Sequence, residues 1–204
     1  MYGKKMKKYI ILISIIFTSC ATINIEQQIV QDFAKEKNLK DIPYANASYL
    51  IKEAGSNENV LNIYEQAYIN KNLPINEKRI DISPGKIKNW PIGTDEINAL
   101  KSVDKKANEP YYWSEKKLRL LDIPTIGKEE LLSKIHDGTI SISSTGHIIS
   151  KPIMSLNKKY AFLKYSSIFY TGGESEKVYV MEKIHDKWIV ILTLFDNYDY
   201  NPSN

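Results

Sequence analysis

Residues Tyr160 to Phe195 read YAFLKYSSIFYTGGESEKVYVMEKIHDKWIVILTLF, and the spacing of this stretch decides the fold class. Ala161, Leu163, Tyr165 and Phe169 fall on one face at a spacing of two, which is the period of a strand. Gly172-Gly173 and the polar Glu174 to Glu176 form a turn signal, and Val178 to Ile184 resumes the alternation. His185-Asp186-Lys187 is a second turn signal, leading into Trp188 to Phe195. This last segment is apolar at both parities: Trp188, Val190 and Leu192 on one, Ile189, Ile191 and Phe195 on the other. A strand apolar on both sides needs cover on both sides. With Thr139 to Ile149 added upstream, the spacing predicts an antiparallel meander of about three or four strands.

Upstream of His136 the period changes. Ile25, Ile29, Val30 and Phe33 recur at helical spacing, and Asn57 reads as the N-cap of a helix carrying Val60, Leu61, Tyr64, Ala67 and Tyr68. Tyr44 to Lys52 fits either a helix or a strand. Asn70 to Pro91 holds three prolines and reads as an irregular connection, long enough to conceal a strand near Arg79 to Ile82. Thr94 is placed to cap a short helix, Lys116 to Ile123 alternates, and Lys128 to Ile135 forms a last helix closed by His136-Asp137-Gly138. The expectation is an α+β domain over residues 25–204, with N-terminal helices (25–136) packed on the C-terminal β-meander (138–196). The chain shows no internal repeat of solenoid length.

The first residues carry Lys4, Lys5, Lys7 and Lys8, then an apolar run from Tyr9 to Phe17, then Thr18-Ser19-Cys20. A basic head, a short apolar run and small residues make the three-part layout of an export signal, over residues 1–19. The run of about nine residues falls well short of the roughly 20 needed for a permanent span. Met6 would serve as a start as well as Met1. Phe17-Thr18-Ser19-Cys20 resembles the lipobox of bacterial lipoproteins, with Phe17 where Leu is usual. The resemblance implies a diacylated Cys20 as the first residue of the mature chain and a short tether over 20–24. Cleavage after Ala21 is the competing reading, since Ser19 and Ala21 also satisfy a small-x-small pattern. Cys20 is the chain's one cysteine, so it has no intramolecular disulfide partner. The residues after it lack the Asp that resembles an inner-membrane retention signal and the acidic cluster that resembles a surface-export signal, which makes an outer-membrane anchor facing the periplasm the default.

Removal of the signal changes the charge balance. The chain has 28 Lys+Arg and 24 Asp+Glu, and residues 1–19 contain four Lys and no acid, so 24 of each sign remain. The global basicity is therefore no argument for nucleic acid, and no nucleic-acid partner is expected. Farther along, Ser150-Lys151-Pro152-Ile153, Tyr160-Ala161, Gly172-Gly173, Glu182-Lys183 and Lys187-Trp188-Ile189 resemble a pattern in small exported proteins of Bacteroidota of uncharacterised activity. The likeness covers roughly residues 148–195 and implies a shared sheet. Relatives that carry Cys around the glycine pair differ from this chain, which has Tyr170, Thr171 and Glu174 there.

No residue stands out as catalytic, cofactor-binding or metal-ligating. His136 and His185 each precede Asp in turn signals, and His147, after Ser144-Thr145-Gly146, reads as a solvent-exposed turn residue without a Gly-x-Ser-x-Gly elbow. Asp196, Asn197 and Asp199 lack the spacing of a calcium loop. Glu109, Glu115, Glu174 and Glu176 are the acids a dispersed-carboxylate hydrolase would draw on. Tyr111-Tyr112-Trp113 is the best candidate ligand contact, because aromatic faces stack on sugars and apolar molecules, although three consecutive aromatics cannot all face one way. Trp188 reads as core. The expected function is a membrane-anchored envelope lipoprotein acting as a non-enzymatic binding or structural module for a protein or glycan partner. A cell-envelope hydrolase and a toxin- or enzyme-neutralising lipoprotein are the alternatives.

Overall fold

Strands from both halves of the chain enter one sheet. The computed structural model describes residues 24–43, 45–74, 80–83, 89–103, 110–118, 121–169 and 175–196. In chain order these hold α1 (Ile25–Glu36), β1 (Ser48–Ile51), α2 (Val60–Ile69), β2 (Ile80–Ser83), α3 (Thr94–Val103), α4 (Glu115–Leu118), β3 (Thr125–Ile126), α5 (Lys128–His136), β4 (Thr145–Ile149), β5 (Ile153–Met154), β6 (Tyr160–Phe169), β7 (Ser175–Ile184) and β8 (Lys187–Asp196). The eight strands run in the order β2-β8-β7-β6-β4-β1-β3, with β5 pairing β6 beside β4. Pairing is antiparallel except at β1, which lies parallel to both β3 and β4. The protein is thus α+β with a large, mostly antiparallel sheet.

Three features differ from the sequence reading. The first half is not purely helical: the ambiguous segment after Tyr44 becomes β1, the connection after Asn70 does hold a strand (β2), and residues 125–126 add β3. The sheet is accordingly wider than a three- or four-stranded meander. The expected alternation over 116–123 resolves instead into the single turn α4, with Leu118, Leu121 and Ile123 buried. β4 begins at Thr145 and not at Thr139, leaving Ile142 58 % exposed in the preceding turn.

Two caps also differ. Asn57 is buried and its side-chain amide donates to the Lys151 carbonyl at 2.9 Å, while Asn59, at φ 69°, takes the cap position of α2. The carbonyl of Gly93 receives the Ile97 N–H, so Thr94 opens α3 from inside its first turn. The helix α1 starts as expected, with the Asn24 side chain accepting from the Glu26 N–H.

The two faces of the sheet are covered by different elements. On the first face, Ile29, Val30, Phe33 and Ala34 of α1 pack with Trp113 and Leu118 onto Ile149, Ala161, Leu163, Tyr165, Tyr179, Met181 and Trp188. Helix α1 is tied to β8 at two backbone amides: Asp32 accepts from the Trp188 N–H and Glu36 from the Val190 N–H, both at 2.9 Å. On the second face, α2 and α3 cover Phe162, Val178, Val180, Leu192 and Leu194, and α5 covers Ile51, Ile126 and Ile168. Tyr64 of α2 pins the approach to α3, its hydroxyl donating to the Ile92 carbonyl and accepting from the Ile92 N–H.

β8 serves both faces because its register against β7 slips at Val180/Met181. Met181 pairs Val190 while Val180 pairs Leu192, so Ile191 is an extra residue, a β-bulge. Before the bulge, Trp188 and Val190 join the first core; after it, Leu192 and Leu194 join the second, with Ile191 packed beside them. The sequence parity that grouped Trp188, Val190 and Leu192 on one face is broken at that residue. The β7–β8 connection is a two-residue hairpin in which His185 and Asp186 both have positive φ (46° and 63°), the geometry that matches strand twist.

Candidate functional site

The second face is not fully covered. Between the helix pair α2/α3 and helix α5, the floor of the sheet is polar: on β6, Phe162 and Ile168 face this side, and between them come Lys164 and Ser166. A position under a helix is normally apolar. Lys164 is instead 14 % exposed along its side chain, reaching Glu176 of β7 at 3.2 Å. An open cleft lies over this pair in two lobes that share Lys164 and Glu176.

The larger lobe, ≈ 380 Å³, is walled by α2, with Val178, Leu194 and Ile80 in its base. Asn59, Asn62 and Gln66 recur at helical spacing along that wall, so one stripe of α2 presents amides to the cleft. The Asn62 amide donates to Asn59 Oδ1 at 3.2 Å. The smaller lobe, ≈ 260 Å³, is bounded by residues 53–56, Lys128, Ile148 and Ser166. Here Glu53 accepts the Lys128 N–H at 3.0 Å, capping α5 from a distant strand end because Gly127 has no side chain to do so. Gly55 lies close against β4: an added Cβ would stand 3.2 Å from Ile148 Cγ2. The lining mixes both charge signs with amides and hydroxyls, a set of donors and acceptors suited to a polar, hydrogen-bonding ligand.

The aromatic cluster is split by the fold. Residues 111–113 run antiparallel beside residues 52–54, where Ala54 N–H donates to the Tyr111 carbonyl and Trp113 N–H to the Lys52 carbonyl. Trp113 is core, 4 % exposed, with its indole N–H donating to the Ile149 carbonyl at 3.0 Å. Tyr111 stacks edge-on against it and is half-buried. Tyr112 is 64 % exposed and sits directly opposite Glu53, a cleft residue. Of the three candidate contacts, Tyr112 alone stands free at the border of the cleft.

The histidines fall in unlike places. His136 and His185 are exposed; His185 lies in the β7–β8 turn as expected, whereas His136 is the last residue of α5 and not part of the turn after it. His147 corrects the sequence reading: it is fully buried in β4, on the first face, away from the cleft. Its Nδ1 hydrogen-bonds with the Tyr165 hydroxyl at 2.9 Å, and the two rings stack. Burial pulls its pKa down to about 4; the nearby Leu39 backbone offsets part of this, although no group meets hydrogen-bond geometry at Nε2. The Ser144 hydroxyl is buried without a partner and does not pair with this ring. Burial likewise raises the phenol of Tyr165 well above its ordinary value and that of Tyr179 to about 12.

Among the candidate acids, Glu176 lines the cleft and Glu115 lies elsewhere, bridged to Lys52 at 2.8 Å. Glu109, Glu174, Gly172, Gly173, Asn197 and Asp199 lie outside the described residues, as do the signal segment and Cys20. Among the described residues, no group of three His, Cys, Asp or Glu could hold a metal ion, and no helix is long and apolar enough to cross a membrane. Sequence reasoning missed Lys164, Ser166, Asn62 and Gln66. The interruption of the apolar parity of β6 at 164 and 166 was the available signal.

Comparison of the chain with protein-family models, with curated proteins and with solved structures finds no match in any of the three.

Proposed function

We propose that the protein is an envelope lipoprotein, held to the membrane through a diacylated Cys20, whose folded domain binds a polar partner in the cleft between α2 and α5. Residues 25–204 act as one binding module, exported by the signal at 1–19 and carried on a tether over 20–24. The observation that supports the binding role is the polar floor: Lys164 and Ser166 occupy positions on the central strand β6 where a covered sheet face would be apolar. Placing a lysine there costs desolvation that its pairing with Glu176 offsets only in part, and a bound polar molecule would make use of both groups. A peptide or glycan matches the lining, since both present alternating donors and acceptors. A hydrolytic reading would use Glu53, Glu58 and Glu176, which share the cleft; the engagement of Glu176 by Lys164 favours binding.

The test is binding of an immobilised panel of envelope glycans and peptides by the mature protein. The double variant Lys164→Met, Asn62→Ala is expected to bind at least about tenfold more weakly, a loss of ~1.4 kcal/mol. A wild-type protein that binds nothing on the panel, or a variant that binds equally well, counts against the cleft. Replacement Cys20→Ser is expected to abolish labelling by a fatty-acid probe and to release the protein from membranes.

A further inference from the structure

The outer edge of β8 is closed by a helix where a strand would be expected. His185-Asp186 is a two-residue hairpin, so Ile184 and Lys187 exchange both backbone bonds, and Glu182 and Ile189 do the same. Trp188 and Val190, in the alternate positions, then aim their N–H and C=O groups away from β7. Among the described residues β2 pairs β8 only from Thr193 to Asp196, which leaves 188–190 without a neighbouring strand.

A stripe of α1 stands there instead. Gln28, Asp32 and Glu36 recur every four residues, about 6 Å apart along the helix, and two strand residues span about 6.8 Å. The near match lets one stripe follow one edge. Gln28 donates to the Asp186 carbonyl, Asp32 accepts from the Trp188 N–H and Glu36 from the Val190 N–H. The body of α1 packs on the first face through Ile29, Val30 and Phe33, so the edge itself is held by side chains.

What the stripe covers is a segment suited to pairing. Trp188 to Phe195 is eight residues without a charge, glycine or proline, the composition that adds to another sheet when its edge is open. The outward groups at 188 and 190 flank Ile189, which is 39 % exposed. Such an edge is complementary to itself. With Ile189 on a two-fold axis, Trp188 of one copy would exchange both bonds with Val190 of the other, and the two isoleucines would face each other with no charge opposed.

We infer that Gln28, Asp32 and Glu36 form a guard that keeps β8 from pairing edge to edge with β8 of a second copy. The two carboxylates occupy the amides that this pairing needs. An amide side chain at either place could do the same, and an alanine could not. A surface for self-association is therefore built into the fold and held shut by α1.

The test uses the full chain in mild detergent with Cys20→Ser, which leaves any introduced cysteine as the one thiol. In sedimentation, Asp32→Ala with Glu36→Ala is expected to self-associate at least about tenfold more tightly than this parent. Asp32→Asn with Glu36→Gln, which keeps both acceptor oxygens, should sediment as the parent does. Ile189→Cys added to the alanine variant should give disulfide-linked dimers on mild oxidation, because residues opposed in this way have Cα atoms about 4.5 Å apart. Leu156→Cys in the same background, at an exposed turn, should not. An alanine variant that stays folded and associates no more tightly than the parent overturns the guard. Equal cross-linking at 156 and 189 would mean disordered aggregation and also overturns it, as does an Asn/Gln protein that associates as tightly as the alanine one. If the double alanine variant unfolds, Glu36→Ala alone, at an exposed site in the last turn, decides the matter. It frees one of the two amides, so a rise in association is expected and no rise overturns the inference.

Discussion

The two faces of the sheet are built from the same strands and end up with opposite characters. The first is sealed: α1 lies along β8, tied by two carboxylate–amide bonds, and even its polar residues are enclosed, His147 and Tyr165 among them. The second is covered in two pieces, α2/α3 at one side and α5 at the other, with a charged floor left between. The difference teaches that the polar residues of one sheet can have unlike meanings. On the closed face a histidine is part of the packing. On the open face a lysine, 14 % exposed along its side chain, lies where a ligand can reach it.

The sharpest way to break this comparison is to open the closed face. Phe33, buried between Tyr165 and Tyr179, should lose about 3–5 kcal/mol on replacement by Ala, measured by denaturant unfolding. A loss below about 1 kcal/mol would mean that α1 is a loosely held flap.

Acid offers a second route to the same face. Unfolded, His147 takes up a proton near its ordinary value of 6.5, whereas folded it stays neutral down to about 4. Stability from this group is therefore whole above pH 6.5, declines as the pH falls from 6.5 toward about 4, and loses nothing further below that. The decline is on the order of 3 kcal/mol. In His147→Leu the decline across that window should be smaller by about that amount, even if the variant starts lower. Equal slopes in the two proteins would place the titrating group elsewhere.

The smallest effect is expected on the open face. Lys164→Met should change stability by no more than about 1 kcal/mol, because the half-exposed Glu176 can turn to water when its partner is gone. A loss beyond about 2 kcal/mol would make the cleft floor part of the core.

Much of the architecture was legible in residue spacing. The helices around Phe33, Tyr64 and Leu131 and the three long strands follow from periods of 3.6 and 2, which burial on one side imposes. β1 and β3 were not legible because they are short and parallel, and their partners lie some 75 to 100 positions away in the chain. Spacing records which side of a segment is buried, not which segment it meets. The site was less legible still. His147 looked like a turn residue because Ser144, Thr145 and Gly146 precede it, yet Gly146 is there to admit α5: an added Cβ would meet Leu131 Cδ2 at 2.7 Å. Trp113 and Tyr112, adjacent in sequence, separate into core and surface because residues 111–113 are extended. Lys164 was visible as a break in parity, but its significance depended on α2 and α5 failing to meet above it.

The bulge at Ile191 has a consequence for how the molecule comes apart. The half of β8 before it is mortar for one core and the half after it for the other, and no loop separates them. Neither half of the strand can detach without dragging its continuation out of the opposite layer. The domain should accordingly melt as one cooperative unit, despite having its cores on opposite faces of the sheet. Removing residue 191 alone would restore a regular ladder with Val190 still opposite Met181 and Leu192 still opposite Val180, so both halves of the strand would keep their faces.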